Sequence, residues 1–231
     1  MKEKSESEMD ESFAADLRGF GPLGIGAFLL ITFSGNIPVS SVLIPLGAVL
    51  VLFWVHLSRT RWPEIGYVRP ASWLGTLAAG IVFGIVFKFL MKAIVMPLLG
   101  AAPINPAYHY LAGNRAMLPV AVWTMMAAGF GEETVFRGYM FERFGKLFGS
   151  GLWARTLIVF LTSVWFGFAH YTGQGLSGTE QAVIVGLVFG TIFSLTGRIF
   201  LLMVAHAVFD LTALAIIYWN LESKVAHLIF Q

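Results

Sequence analysis

Long apolar segments separated by short polar ones dominate this chain from residue 20 onward. A helix needs roughly 20 mainly apolar residues to cross a bilayer, and about seven segments approach or reach that length. These segments cover residues 20–35, 39–57, 73–99, 120–144, 153–169, 181–195 and 200–219. The pattern predicts an all-α fold, a polytopic membrane helix bundle of about seven transmembrane helices, with a range of about six to eight.

The connections between these segments predict how the helices are joined. Residues 58–70 and 101–119 contain prolines and polar residues and are expected to be loops. Two G-x-x-x-G patterns, at residues 80–84 and 186–190, let helix backbones approach closely. We therefore read both patterns as helix-packing positions.

The chain divides into two unequal parts. Residues 1–19 are polar and acidic and lack the continuous apolar run of a signal peptide, so we expect a flexible tail. Residues 20–231 contain no polar stretch long enough to fold alone and are predicted to form a single transmembrane domain. All the candidate chemistry of that domain falls within residues 118–219.

Composition supports a lipid environment and excludes several function classes. Hydrophobic residues make up 57% of the chain and charged residues 12%, about half the charged share of a soluble domain. The net charge of +2 is too small to indicate nucleic-acid binding. The chain has no cysteine, which excludes disulfides, thiolate metal sites and a cysteine nucleophile.

Basic residues give the predicted orientation. They occur in the tail and in loop 58–70, which places both on the cytoplasmic side by the positive-inside rule. The N-terminus is therefore predicted to be cytoplasmic. Lys88 and Lys92 lie toward the other end of the third segment and are expected to extend to the membrane interface.

The first cluster of ionisable residues lies inside the fourth segment, where residues 131–138 read GEETVFRG. Charged side chains are costly within a membrane and are commonly functional there. On a helix, Glu133 and Arg137 share a face and can form an ion pair. Glu132 points about 100° away and needs another partner. A buried carboxylate that exchanges its proton near neutral pH is a competent general base, and a structural ion-pair network is the alternative.

Two histidine clusters follow on later segments. Phe166 and His170 are four residues apart at the end of the fifth segment, and His206 and Asp210 have the same spacing in the last. Each alone has a structural explanation, such as a local hydrogen bond that satisfies buried polar groups. Since polar groups in lipid must find one another, the clusters are expected to converge on one cavity. No serine has a G-x-S-x-G setting, so carboxylate and histidine favour activation of water.

The three clusters resemble the motifs of the CPBP family, which comprises CAAX proteases and bacteriocin-processing enzymes and includes type II CAAX prenyl proteases and bacterial Abi-type proteins. The family pattern is E-E-x-x-x-R, then F-x-x-x-H, then H-x-x-x-N or D, each on a membrane helix. Residues 132–137, 166–170 and 206–210 match it in order and spacing. The resemblance covers about residues 118–219 and implies an intramembrane peptidase.

The resemblance also implies roles for four catalytic residues. Glu132 would be the base that activates water, and His170 would assist it. His206 and Asp210 would stabilise the oxyanion of the tetrahedral intermediate. By the 1.5 Å rise per helical residue, His170 is expected nearer the outer end of the membrane, on the order of 10 Å from Glu132 and His206.

Supporting roles are implied for Glu133, Arg137 and Phe166, which would orient the site. One position departs from the type II prenyl proteases, which carry Asn where this chain has Asp210. An ionised Asp cannot donate a hydrogen bond. Asp210 must therefore be protonated to serve the oxyanion, or it only orients His206.

A metal-dependent mechanism is the second possibility for the same residues. Glu132, His170 and His206 could form a two-histidine, one-glutamate zinc site with an open position for water. There is no H-E-x-x-H motif, so three separate helices would have to supply the ligands. We favour direct activation of water without a cofactor, and zinc remains the alternative.

The sequence therefore predicts an intramembrane endopeptidase that cleaves a membrane-associated protein or peptide. Membrane lipid is its expected surrounding, and nucleic acid is not an expected partner. The expected location is a prokaryotic cell membrane. A non-catalytic scaffold or immunity protein of the same family is an alternative, as is a proton-coupled transporter. Substrate identity and oligomeric state are left open.

Overall fold

The computed structural model describes residue 19 and residues 21–230, so the predicted tail lies almost wholly outside the described residues. The described part is built from helices, and no strand occurs in it. The helices are α1 (Pro22–Thr32), α2 (Ile37–Leu57), α3 (Trp73–Leu98), α4 (118–148), α5 (152–174), α6 (176–196), α7 (Phe200–Tyr218) and the short α8 (Glu222–Ala226). The predicted all-α fold is confirmed.

The helices have the length and surface of a membrane bundle. Within the described ranges, Ile37–Leu57, Trp73–Leu98, Leu152–Thr196 and Phe200–Tyr218 are long and apolar enough to cross a bilayer. Large apolar side chains such as Leu74 and Trp153 stand outward, 79% and 86% exposed. Such a surface is stable in lipid but not in water, so the chain is an integral membrane protein.

Helices α5 and α6 form an antiparallel hairpin that turns at Gly175. The backbone there has φ 64° and ψ −162°, a region open essentially to glycine alone. A Cβ atom on Gly186 would lie 2.9 Å from Ser163, which shows how closely the two arms approach. The sequence predicted shorter helices, 153–169 and 181–195. Helical hydrogen bonding continues through the polar residues near the turn, because it does not depend on hydropathy.

Helices α3 and α7 run parallel and pack through the first G-x-x-x-G pattern. A Cβ atom on Gly80 would meet Val204 and the Leu201 carbonyl oxygen. One on Gly84 would lie 2.5 Å from the Ala205 carbonyl oxygen. Residue numbers therefore increase in the same direction along the two helices. Since residues 186–190 pack against α5, both G-x-x-x-G patterns lie at helix contacts, as predicted.

The loops fall at two ends of the bundle. At one end, the Ile199 amide donates to the Gly66 carbonyl oxygen over 3.0 Å, joining loop 58–72 to the α6–α7 connection. We call this the basic end, because it carries Arg59, Arg61, Arg69, Arg143, Lys146, Arg155 and Arg198. At the opposite end, the Gly113 amide donates to the Tyr218 carbonyl oxygen over 3.0 Å. Loop 99–117 and the Gly175 turn belong to this second end.

Candidate active site

Helix α4 carries two buried glutamates at its midpoint, between α2 and α7. Glu133 is fully buried, and its Oε1 accepts a hydrogen bond from Arg137 Nη1 over 2.9 Å. This confirms the ion pair that the spacing predicted. Arg137 lies in a π-helical turn, Thr134–Tyr139, directly after the glutamates. Such turns are rare and occur frequently at functional sites.

Helix α7 brings His206 against the same carboxylate. His206 Nδ1 lies 2.8 Å from Glu133 Oε1. Because an ionised carboxylate only accepts, Nδ1 carries the proton of this hydrogen bond. The other ring nitrogen, Nε2, lies 3.8 Å from Glu132 Oε2 and 3.6 Å from Asp210 Oδ2. His206 thus stands among three carboxylates, with Nε2 turned toward Glu132 and Asp210.

Helix α5 supplies Phe166 and His170. His170 Nδ1 lies 2.8 Å from the Phe166 carbonyl oxygen, and since a carbonyl only accepts, Nδ1 donates. In the neutral ring, Nε2 is then an acceptor. The Phe166 ring centroid lies 4.6 Å from that of His170 and 5.8 Å from that of His206. Arg137 Cζ stands 4.5 Å from the same Phe166 ring. One aromatic ring therefore contacts both histidines and the arginine.

A single cavity of about 400 Å³ brings the predicted catalytic residues together. Its lining includes Glu132, His170, His206 and Asp210. The cavity extends toward the opposite end of the bundle, where loop 99–117 and the Gly175 turn border it. Although the sequence placed His170 on the order of 10 Å from Glu132 and His206 by helical rise, it shares their cavity.

The supporting residues differ in their relation to this cavity. The ring of Phe166 lines it, whereas Glu133 and Arg137 stand behind the lining. Glu133 therefore does not line the cavity itself but contacts His206, which does. Arg137 in turn contacts Glu133.

Glu132 presents a buried carboxylate to the cavity. Its Oε2 atom is buried and makes no hydrogen bond with any residue that the structure describes. A buried acceptor without a partner is costly and is available to a polar ligand such as water. The atom lies 3.8 Å from His206 Nε2, and both residues line the cavity.

Lys88 of α3 also lines the cavity and was missed as a site residue. Its side chain is buried, with 7% exposed, and its Nζ donates to Gln181 Oε1 over 3.1 Å. The prediction that Lys88 extends to the interface is wrong, because its helix turns the side chain into the bundle. Lys92 lies closer to the helix end and donates to the Pro103 carbonyl oxygen over 2.6 Å. The spacing Gly80, Gly84, Lys88 was the available signal, since it places the lysine on the packing face.

No group of three or more histidine, aspartate or glutamate side chains within residues 21–230 has an arrangement suited to hold a metal ion. Glu132 and His206 are neighbours at 3.8 Å. His170 reaches them across the Phe166 ring rather than by a direct contact. The three-helix zinc site stays a prediction for measurement.

Comparison with known proteins identifies the segment that carries this site. Residues 114–212 match the sequence model of a family described as type II CAAX prenyl endopeptidase Rce1-like. The match supports the assignment of this segment to the CAAX protease family. The Rce1-like domain spans all three motifs, from Glu132 to Asp210, whereas Lys88 comes from the helix before it.

Two further comparisons, with curated proteins and with solved structures, add little to this match. An uncharacterised 24.3 kDa protein of Escherichia coli is 29% identical over 171 residues, which cover 69% of this chain and 73% of that protein. No solved structure matches the chain. The Rce1-like assignment therefore rests on the segment that contains the motifs.

Proposed function

We propose that this chain is an intramembrane endopeptidase in which Glu132 and His170 activate water to hydrolyse a peptide bond of a membrane-associated protein or peptide. The proposal rests on one observation: Glu132 Oε2 is buried beside His206 and makes no hydrogen bond with any described residue. His170 and Asp210 line the same cavity. The Rce1-like domain supports the same reaction class.

The geometry supports a defined path for the proton. A water held by Glu132 attacks the peptide carbonyl carbon and gives one proton to the Glu132 carboxylate. His170 accepts from the same water through Nε2, because its Nδ1 is committed to the Phe166 carbonyl oxygen. When the tetrahedral intermediate collapses, Glu132 returns its proton to the leaving amine. Atoms and charge then balance with one water consumed.

His206 supports the developing oxyanion. It can donate from Nε2 only in its doubly protonated form, and carboxylates on three sides compensate that positive charge. Glu133 and Arg137 fix the ring from behind. Asp210 lies within 3.6 Å of Nε2 and, as a carboxylate, orients His206 instead of donating to substrate.

Substitution of the two water-activating residues tests the reaction. Glu132→Gln keeps size and removes the base, and His170→Ala removes its helper. Each is expected to abolish cleavage, a loss of at least about 100-fold, while the protein still inserts. Glu64→Gln is the matched control, because Glu64 pairs with Arg61 in loop 58–72, away from the cavity.

The substrate is identified by trapping. Peptides that co-purify with Glu132→Gln and are absent from wild type are sequenced by mass spectrometry, then offered to wild type for cleavage. Cleavage that persists in Glu132→Gln would sink the mechanism. A cellular phenotype that survives in Glu132→Gln would favour the scaffold or immunity alternative.

We propose that no cofactor takes part. Metal analysis of purified protein tests this directly. One tightly bound zinc per chain, with cleavage lost to chelators and restored by zinc, would replace the mechanism by one in which Glu132, His170 and His206 hold the metal.

We also propose that the protein lies in a prokaryotic cell membrane with its N-terminus and basic end in the cytoplasm. The clustering of arginines and lysines at one end of the bundle supports this orientation. The cavity extends toward the opposite end. Substrate then enters from the non-cytoplasmic side or from that half of the bilayer.

A further inference from the structure

The register of α3 on α7 determines which residue faces Asp210. Gly80 packs at the level of Leu201 and Val204, and Gly84 packs at the level of Ala205 and Phe209. Each step of four residues on α3 thus corresponds to about four residues on α7. The next position on the same face of α3 is Lys88, and the corresponding level of α7 is 209–212.

The side-chain contacts of Lys88 agree with this register. Lys88 Nζ stands 4.6 Å from the ring centroid of Phe209, the residue directly before Asp210. Lys88 and Asp210 line the same cavity and interact electrostatically within it. The hydrogen bond to Gln181 Oε1 satisfies one of the three ammonium donors.

The charges of the site leave two carboxylates, Glu132 and Asp210, without a close cation partner among the described residues. Glu133 has Arg137 at 2.9 Å and His206 at 2.8 Å. Asp210 has only the longer contact to His206, at 3.6 Å. A carboxylate in a low-dielectric site is strongly disfavoured unless a positive charge lies near it. Lys88 is the buried cation available for that purpose.

We propose that Lys88 is the counter-ion of Asp210 and a positioning residue of the active site. Paired with Lys88, Asp210 stays a carboxylate whose charge attracts the protonated His206 ring and keeps Nε2 beside Glu132. The charged and titratable groups that face Asp210 are then Lys88 from α3, His206 from α7, Glu132 and Glu133 from α4, and Tyr108 from loop 99–117. Glu132 then has no lysine or arginine partner within the described part of the chain, which suits a base.

This pairing gives a role to the departure from the prenyl-protease motif. Where those enzymes carry Asn, a neutral side chain needs no counter-ion. An ionised Asp210 in this chain needs a counter-ion. The role of Lys88 in cleavage rests on the proposed function, whereas the charge pair itself is observable without any substrate.

Carbon NMR reads the state of Asp210 directly. The chain contains only Asp10, Asp16 and Asp210, so full-length protein labelled with ¹³C at the aspartate carboxyl gives a three-signal spectrum in micelles. The signal missing from Asp210→Asn is that of Asp210. At pH 7 we expect this signal at the carboxylate position in wild type and Lys88→Arg, and at the carboxylic acid position in Lys88→Met.

The matched control is Lys92→Met, one helical turn from Lys88 and paired instead with the Pro103 carbonyl oxygen and Glu222. It should leave the Asp210 signal unchanged. An acid signal in wild type, or a carboxylate signal that persists in Lys88→Met, would overturn the proposal.

Thermal unfolding and cleavage give a second, independent reading. Lys88→Met and Asp210→Asn should each lower Tm. Their combination should lower Tm by less than the sum, because it removes both charges together. With a trapped peptide as substrate, Lys88→Met should reduce kcat on the order of 100-fold through misplacement of His206, and Lys88→Arg should recover part of it. Additive losses of Tm would contradict the pairing even if the protein proves not to be a protease.

Discussion

At the scale of single residues, the site is arranged by the hydrogen-bond capacity of its side chains. Glu133 Oε1 serves both Arg137 and His206. This fixes Nδ1 of His206 as a donor and turns Nε2 toward the cavity. Likewise, the Phe166 carbonyl oxygen fixes His170 Nδ1 as a donor. The proton on Nδ1 of each histidine is therefore fixed by a hydrogen-bond partner that is not one of the candidate catalytic residues.

The buried ion pair gives a prediction with an internal control. Arg137→Met removes the charge that compensates Glu133, which is fully buried. An uncompensated buried carboxylate is expected to lower the free energy of unfolding by about 3–5 kcal/mol. Arg61→Met breaks the Arg61–Glu64 pair of 3.1 Å, where the arginine side chain is 77% exposed, and should cost at most about 1 kcal/mol.

Equilibrium unfolding of both variants in detergent measures the difference. Equal losses for Arg137→Met and Arg61→Met would show that the Glu133 site is hydrated and that its burial is not what makes the pair important.

At the scale of elements, the α3–α7 contact determines how accurately the site is assembled. The Gly80 and Gly84 backbones lie against α7, and α7 carries His206 and Asp210. A small increase in the distance between the two helices therefore moves Lys88 away from Asp210. Backbone packing and the charge arrangement of the cavity depend on the same contact.

Substitution of glycine by alanine separates packing from helix propensity. A Cβ atom at Gly84 would lie 2.5 Å from the Ala205 carbonyl oxygen. Gly84→Ala should therefore lower the free energy of unfolding by about 1–3 kcal/mol and reduce cleavage. Gly145→Ala is the control: its Cβ would meet nothing within 4 Å, so it should be neutral or stabilise by up to about 1 kcal/mol.

Unfolding in detergent and cleavage of a trapped peptide are both measured for the two alanine variants. If Gly84→Ala matched Gly145→Ala in stability, the two helices would not be in the close contact that positions the site.

At the scale of the whole molecule, most of the described arginines lie at one end of the bundle, and the cavity extends toward the other. The basic end carries the arginine-rich loop 58–72, and the cavity extends toward the end formed by loop 99–117 and the Gly175 turn. At that second end, Glu222 accepts from the Asn105 amide over 2.8 Å and contacts His109 Nδ1 at 2.9 Å. The loop that borders the cavity is thus held to the C-terminal helix.

The absence of cysteine makes the orientation simple to test by single-cysteine labelling. Ala116→Cys lies at the cavity end and Ser150→Cys at the basic end, both at exposed positions. In intact cells, a membrane-impermeant maleimide should label Ala116→Cys at once and Ser150→Cys only after permeabilisation. The reverse pattern would place the cavity in contact with the cytoplasm.

Much of the fold was determined by the order of apolar and polar residues. That order located the helices and the loops at 58–70 and 101–119, because a long apolar segment in lipid satisfies its own backbone hydrogen bonds by forming a helix. It failed at 170–180, where polar residues shortened the predicted helices, although backbone hydrogen bonds extend them to the Gly175 turn. It also failed for Lys88, because hydropathy does not record which face of a helix meets another helix.

The sequence by itself determined that the chain is a membrane helix bundle and singled out Glu132, His170, His206 and Asp210 as candidates, since buried charges in a membrane are rare enough to stand out. Only the tertiary structure decided which of those residues contact one another. It paired Glu133 with Arg137 and His206, left Glu132 Oε2 without a hydrogen bond in the described residues, and brought Lys88 to the level of Asp210. Those outcomes depend on the register between helices far apart in the chain, and spacing along one helix carries no information about that register.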